Sequence, residues 1–281
     1  MTLALPVEGR ATRRTTATVL WAFIRRDAAI AVSYRVPFVV GVLQSLGSLA
    51  FLYFLGRLVG ARFTSSETAG PGGYFGFAVV GSALLTVFTA TLTSVSQRLR
   101  TDQTTGTLEV LFTMPQSPVL SVLGGSAFQV LYALASALAT VLLGLLLGLH
   151  LHVTGWSALG ALAALVGALV LFAATGIAFG AYVMLFKGGD TLTALAASAL
   201  TVVGGVFFPL PLLPGWLRGV ADVVPFTWAV STLRTALLHG QVQGAHLALL
   251  WGFGVVLLPL CIGLFRMALR RARTKGTLGQ Y

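Results

Sequence analysis

The sequence predicts an all-α membrane protein. It should have six transmembrane helices, an N-terminal interfacial helix, a short amphipathic helix on the cytoplasmic side, and a re-entrant helical hairpin in the outer leaflet before the last span. Three observations predict this. Of 281 residues, 57% are hydrophobic and only 9% charged, whereas soluble domains carry about 25% charged residues. Apolar runs of the length that crosses a bilayer, about 20 residues, recur six times. The remaining charges are lopsided, 18 Lys and Arg against 7 Asp and Glu, and they segregate by side once the runs are placed. This composition excludes a soluble globular domain, and the wealth of apolar residues excludes a disordered chain.

The first element, 16–36, alternates Val19, Leu20, Phe23, Ile24 and Ile30 with Arg25, Arg26 and Asp27. It is too charged to cross and apolar enough to lie in the headgroup plane. The same charges interrupt what would otherwise be the apolar stretch of a secretion signal, and no small-residue cleavage site follows. The six spans are 37–58, 74–96, 119–149, 156–186, 191–208 and 246–269. Pro37 suits the first turn of its helix. The third and fourth spans are long enough to tilt, while the fifth is short and ends at Phe207-Phe208-Pro209. Residues 1–281 read as a single transmembrane domain.

With both termini on one side, that side carries Arg10, Arg13, Arg14, Arg25, Arg26, Arg35, Arg98, Arg100, Lys187, Arg266, Arg270, Arg271, Arg273 and Lys275. The other side carries Arg57, Arg62, Arg218 and Arg234. A split of fourteen to four follows the positive-inside rule and makes both termini cytoplasmic in a multi-pass protein of the plasma (bacterial cytoplasmic) membrane. The net charge of +11 is therefore spent on orientation and on contact with anionic lipid, and nucleic acid is not expected as a partner.

The same placement narrows the function. Glu8, Asp27, Asp102, Glu109 and Asp190 fall in cytoplasmic segments, and Glu67 and Asp222 in extracellular ones. Proton- or ion-coupled carriers usually need ionisable groups inside the membrane, which argues against an ATP-independent secondary carrier. The G-x-x-x-x-G-K-[ST] loop that cradles nucleotide phosphates does not occur, nor do H-E-x-x-H or G-x-S-x-G. The chain reads as no enzyme, and any ATP must be used by another subunit. A non-transporting membrane scaffold is the other alternative. Cys261, the one cysteine, excludes an internal disulfide and a cysteine-based metal site and reads as a small buried hydrophobe. His150, His152, His239 and His246 have spacings unspecific for a metal, so none is expected. Gly144/Gly148 and Gly176/Gly180 fit close helix packing.

Two segments carry more information. Between spans two and three runs Arg98-Leu-Arg-Thr-Asp-Gln-Thr-Thr-Gly-Thr-Leu-Glu-Val-Leu-Phe-Thr-Met-Pro115. Thr107 can cap a short helix that sets Leu108, Leu111 and Phe112 on one face, and Pro115 and Pro118 end it. The segment reads either as a knob for a groove on a soluble partner or as a plain loop with one helical turn. The second segment runs from Gly204 through Phe207, Phe208, Pro209, Pro211, Pro214 and Trp216 to Arg218, and continues from Pro225 to Arg234 and Leu238. It is too apolar for a water-exposed loop and too broken by proline for a straight span. Two short helices, 212–223 and 226–238, would dip into the outer leaflet as a hairpin over 212–238, or plug the outer face as a lid. Arg234 and Asp222 would there pair with each other or meet an anionic headgroup.

The six-span layout, the Gly-Thr-Leu-Glu-x-Leu…Pro loop and the Phe-Phe-Pro…Leu-Pro-x-Trp-Leu…Pro…Leu-Arg stretch resemble the permease subunit of type-2 ABC exporters, the group of drug, polysaccharide and lipid-linked glycan exporters. The resemblance covers nearly the whole chain. It implies that Gly106, Thr107, Leu108, Glu109, Leu111 and Pro115 form the coupling helix that docks on a separate ATPase subunit. Of the two acids that the family often carries before the Gly-Thr pair, this chain keeps Asp102 and has Thr104 in place of the second. The resemblance further implies that Phe207, Phe208, Pro209, Pro214, Trp216, Pro225 and Arg234 belong to a re-entrant hairpin at the outer end of the translocation path. Two permeases, the same or related, would pair mainly through the first and fifth spans. ATP and magnesium would be held by the ATPase partner and no cofactor by this chain.

Overall fold

The computed structural model describes residues 21, 24–26, 35–63, 73–104, 118–185 and 189–274. The predicted interfacial segment 16–36 lies largely outside the described residues, and the Gly106–Pro115 loop lies wholly outside them. Among the described residues every regular element is helical. The helices are α1 (Arg35–Phe63), α2 (Gly73–Thr104), α3 (Pro118–Leu146), α4 (Gly155–Leu185), α5 (Gly189–Val203), α6 (Gly215–Val223), α7 (Pro225–Leu238) and α8 (Gly244–Thr274). A 3-10 turn, Leu210–Leu212, precedes α6.

Local chemistry sets several of these ends. The backbone N–H of Thr154 donates to Ser157 Oγ at 2.9 Å, and that of Ser157 donates to Thr154 Oγ1 at 3.2 Å. This reciprocal cap starts α4 in the manner of a capping box, with serine where glutamate is usual. Pro214 precedes α6, and Pro225 takes the first turn of α7, where proline's missing N–H costs nothing. At the end of α7, Gly240 adopts φ +66° and closes the helix by a left-handed cap. Pro259 lies inside α8, where it has no N–H to donate to Val255 O.

Among the described residues, four helices have stretches long and apolar enough to cross a membrane: Gly73–Thr101, Gly124–Leu146, Gly155–Met184 and Gly244–Arg271. The apolar stretches Leu43–Val59 and Leu192–Val203 are shorter. The fifth span was expected over 191–208, but α5 stops at Val203. Its 15 residues reach only about 22 Å, less than the ~30 Å of a bilayer core. Gly204 and Gly205 end it, the latter at φ +64°, a conformation that only glycine adopts cheaply.

α2 is the central helix and packs against α1, α3, α4, α5 and α7, while α8 lies along α4 and α7. Val95 and Leu99 of α2, Ile177 and Met184 of α4 and Phe265 of α8 fill one end of the bundle. Phe88, Phe172 and Phe226 fill the middle, with the ring centroids of Phe88 4.9 Å from Phe172 and 5.2 Å from Phe226. Leu49, Leu52, Phe75, Val79 and Leu238 fill the end beside the hairpin. Gly176 and Gly180 do bring α4 close to α2: an added Cβ would lie 3.1 Å from Thr91 O and 2.8 Å from Val95 Cγ1, respectively. Gly144 approaches Val79 and Leu149, whereas Gly148 serves a turn at φ +97°. Cys261 is buried and free.

Candidate functional site

Two features of the bundle are built for more than packing, and both involve α2. The first is its one open stripe. Ser82, Thr86, Thr89, Thr93, Gln97 and Arg100 recur at three- and four-residue steps and are partly or fully exposed, while most of the remaining side chains up to Leu99 are buried. Such spacing keeps them on one face. Thr86, Thr89 and Thr93 donate their hydroxyls to Ser82 O, Leu85 O and Thr89 O at 2.9, 2.9 and 2.8 Å. With those protons spent inside the helix, Thr86, Thr89 and Thr93 present lone pairs outward and accept hydrogen bonds, while Gln97 and Arg100 at the end of the stripe carry donors.

The second feature lies where α5 ends. Arg234 of α7 is 8% exposed. Its Nε donates to Phe77 O at 3.0 Å, Nη1 to Gly205 O at 2.7 Å and Nη2 to Val206 O at 2.7 Å. Its Cζ lies 3.5 Å from the centroid of the Phe77 ring. The carbonyls past a helix end have no partner within the helix, and non-helical backbone at membrane depth must be satisfied by protein. One guanidinium, with its fork of donors, does this for both carbonyls and ties them to α2. Gly81 makes the approach possible, since a Cβ there would collide with Arg234 Nη2 and lie 2.7 Å from Val206 O. Gly204 is similarly constrained, with Leu200 O 2.5 Å from any added Cβ.

This arrangement corrects the sequence reading of Arg234. It makes no ion pair with Asp222 and does not face headgroups from the surface, because the nearest acceptors for a buried guanidinium are the carbonyls that α5 leaves behind. Asp222 is exposed, and its backbone carbonyl accepts from Trp228 Nε1 at 3.0 Å.

Beside Arg234 opens a cavity of about 450 Å³ between the loop after α5, the hairpin α6–α7 and the turn into α8. Its polar wall is one face of α7 with its continuation: Thr227, Ser231, Thr235 and His239 line it, each four residues after the last. Arg218, Gln241 and Gln243 line it too. Ser231 Oγ lies 3.1 Å from His246 Nδ1, and Thr235 Oγ1 donates to Ser231 O at 3.1 Å. Thr227 Oγ1 and His239 Nδ1 are buried and have no hydrogen-bond partner.

Of the residues singled out from the sequence, Pro209 and Arg234 meet at this cavity. Phe207 packs into the core from its side, and Pro225 starts α7. Phe208, Pro214 and Trp216 are exposed, with Trp216 at 75%, and do not line it. Gly106, Thr107, Leu108, Glu109, Leu111 and Pro115 lie outside the described residues. The sequence reading missed Phe77, Gly81, Thr227, Ser231, Thr235 and the α2 stripe. The four-residue periodicity of Thr227 to His239 was the one signal that could have found the wall. Among the described residues, no group of three or more His, Cys, Asp or Glu side chains is arranged to hold a metal ion.

Comparison with known proteins agrees with a membrane transport component. The sequence model of the family described as ABC-2 type transporter matches residues 17–238. No curated protein matches the chain.

Proposed function

The chain belongs to the ABC-2 type transporter family, the permease component of type-2 ABC transporters, and from that premise we propose that it is the permease of an ATP-driven exporter for a hydroxyl-bearing amphiphile of lipid-like, glycan or drug type. As a member it is a multi-pass transmembrane subunit, not itself catalytic, that associates with an ABC ATPase. The single observation that supports the finer reading is the open stripe of α2. A row of hydrogen-bond acceptors facing lipid tails would go unpaired at a cost. Facing a second copy across a path, the same row accepts from the hydroxyls of a passing cargo, while neighbouring Leu85 and Ala90 meet its apolar part.

In this reading two permeases pair along the apolar outer faces of α1 and α5, where Leu43, Phe51, Phe54 and Leu195 are exposed. ATP and magnesium sit on the two ATPase subunits. Their closure pushes the Gly106–Pro115 segment of each permease sideways and rocks its bundle, opening the path outward. To move such an equilibrium from 1:99 to 99:1 takes about 5.5 kcal/mol of differential binding. The protein sits in the plasma membrane with both termini in the cytoplasm, surrounded by lipids.

The test is reconstitution in vesicles with the ABC ATPase that co-purifies with the chain, using a fluorescent glycolipid as probe. Movement should require ATP and stop when the ATPase is omitted. Movement driven by a proton or sodium gradient without the ATPase would replace this reading with a secondary carrier. Orientation is tested by Gly215→Cys, at a position where an added Cβ meets nothing within 4 Å. Cys261, 6% exposed, should contribute little background. An impermeant thiol reagent should label the variant from outside cells only. Labelling from the cytoplasmic face would invert the topology.

A further inference from the structure

The geometry points to a second binding site, distinct from the stripe of α2: the cavity beside Arg234 accepts a phosphate group, either free or carried on a lipid headgroup. Charge argues first. Arg218 and Arg234 line the cavity and no Asp or Glu does. Of the five N–H donors of Arg234, three go to backbone carbonyls, whose dipoles offset only part of a full positive charge. A buried cation without a carboxylate draws an anion, and the attraction is stronger away from bulk water.

Hydrogen bonding argues second and independently. Thr227 is 4% exposed and lines the cavity, yet its hydroxyl has no partner. Native proteins seldom leave a buried polar atom unsatisfied without a reason. His239, two helical turns beyond Ser231, also lines the cavity, and its buried Nδ1 likewise has no partner. A tetrahedral oxyanion uses several such donors at once. A neutral ligand would leave the charge of Arg234 unanswered, and a cation would be repelled by it. The volume is within the range of sites that take drug-sized molecules, which leaves room for whatever carries the phosphate. Arg234 supplies field rather than direct contact, because it is already committed to holding the loop.

The proposal stands on the cavity and not on the transport reading, so the two can fail separately. The test uses the purified full chain in neutral detergent, titrated with sodium phosphate against sodium chloride at matched ionic strength. A parallel arm uses nanodiscs of phosphatidylcholine with or without phosphatidylglycerol. The thermal unfolding midpoint is read for the wild type, Thr227→Val and Arg218→Gln. Phosphate or phosphatidylglycerol should raise the wild-type midpoint, since a ligand that binds only the folded state stabilises it. Each variant should weaken the apparent affinity about tenfold. Without ligand, Thr227→Val should be as stable as the wild type or more so, because a methyl replaces an unpartnered hydroxyl. A response to phosphate alone assigns the free ion, and one to phosphatidylglycerol alone assigns the headgroup. No response in either arm overturns the proposal. So does a response that both variants leave intact, which would place the anion on the basic tails instead.

Discussion

Arg234→Met should lower the thermal unfolding midpoint of the purified protein more than any other single replacement in the hairpin. Methionine keeps much of the side-chain volume but leaves Gly205 O and Val206 O without their donor and removes the bond that ties the hairpin to Phe77 O. Each abandoned buried acceptor costs about 1–3 kcal/mol, and the stacking on the Phe77 ring is lost as well, so a total of about 3 kcal/mol or more is expected. Arg234→Lys should recover part of this at most, because a single ammonium cannot present a planar fork to three carbonyls. Gly81→Ala should resemble Arg234→Met from the opposite side, by wedging a methyl between Val206 O and the guanidinium. All three variants should make the loop after α5 more sensitive to limited proteolysis. An unchanged midpoint and cleavage pattern in Arg234→Met would show that the carbonyls find other partners and that the guanidinium is dispensable.

Combining Glu109→Ala with Leu111→Asp should release the ATPase. If the Gly106–Pro115 segment docks by laying Leu108, Leu111 and Phe112 in a groove, then Leu111 is worth about 2 kcal/mol of burial, and an aspartate there adds the cost of an unpaired charge against an apolar wall. Glu109 supplies a carboxylate to the same segment. Affinity for the ATPase should fall about a hundredfold or more. ATP hydrolysis by the complex should lose its response to cargo, while the permease itself stays folded with an unchanged midpoint. Co-purification and substrate-stimulated hydrolysis at wild-type levels would remove the docking assignment from this loop.

The helices were legible because a membrane helix is announced by length and apolarity alone. α2, α4 and α8 begin within two residues of the runs read from the sequence. Their ends were harder, for an identifiable reason. At 204–208, Val206, Phe207 and Phe208 continue the apolar run, so hydropathy continues as well, whereas the backbone has already turned at Gly205 with φ +64°. A run of apolar residues reports depth, not dihedral angles. The role of Arg234 was hidden because its three partners are main-chain carbonyls, which any residue supplies and no motif records. The open stripe of α2 was hidden in another way. Thr86, Thr89 and Thr93 satisfy their own protons within the helix, so the span still reads as membranous although one face is polar. The wall of the cavity was legible in principle, since Thr227, Ser231, Thr235 and His239 are spaced by one helical turn. Read as part of an apolar hairpin, they looked incidental.

The shortness of α5 has a consequence for biosynthesis. A segment that is helical for only about 22 Å and then leaves Gly205 O and Val206 O exposed is a poor client for lateral release into lipid when it first emerges. What completes it is made 28 and 29 residues later, when Arg234 arrives on α7. The third anchor, Phe77 O, was made 157 residues earlier and already waits in the membrane. The fifth segment should therefore linger at the insertion machinery until the hairpin has been synthesised. The two short-range bonds then form quickly, as local closures do, and docking onto α2 comes last. A nascent chain stalled before residue 234 should keep this segment within cross-linking reach of the insertion channel, and one stalled well after it should not.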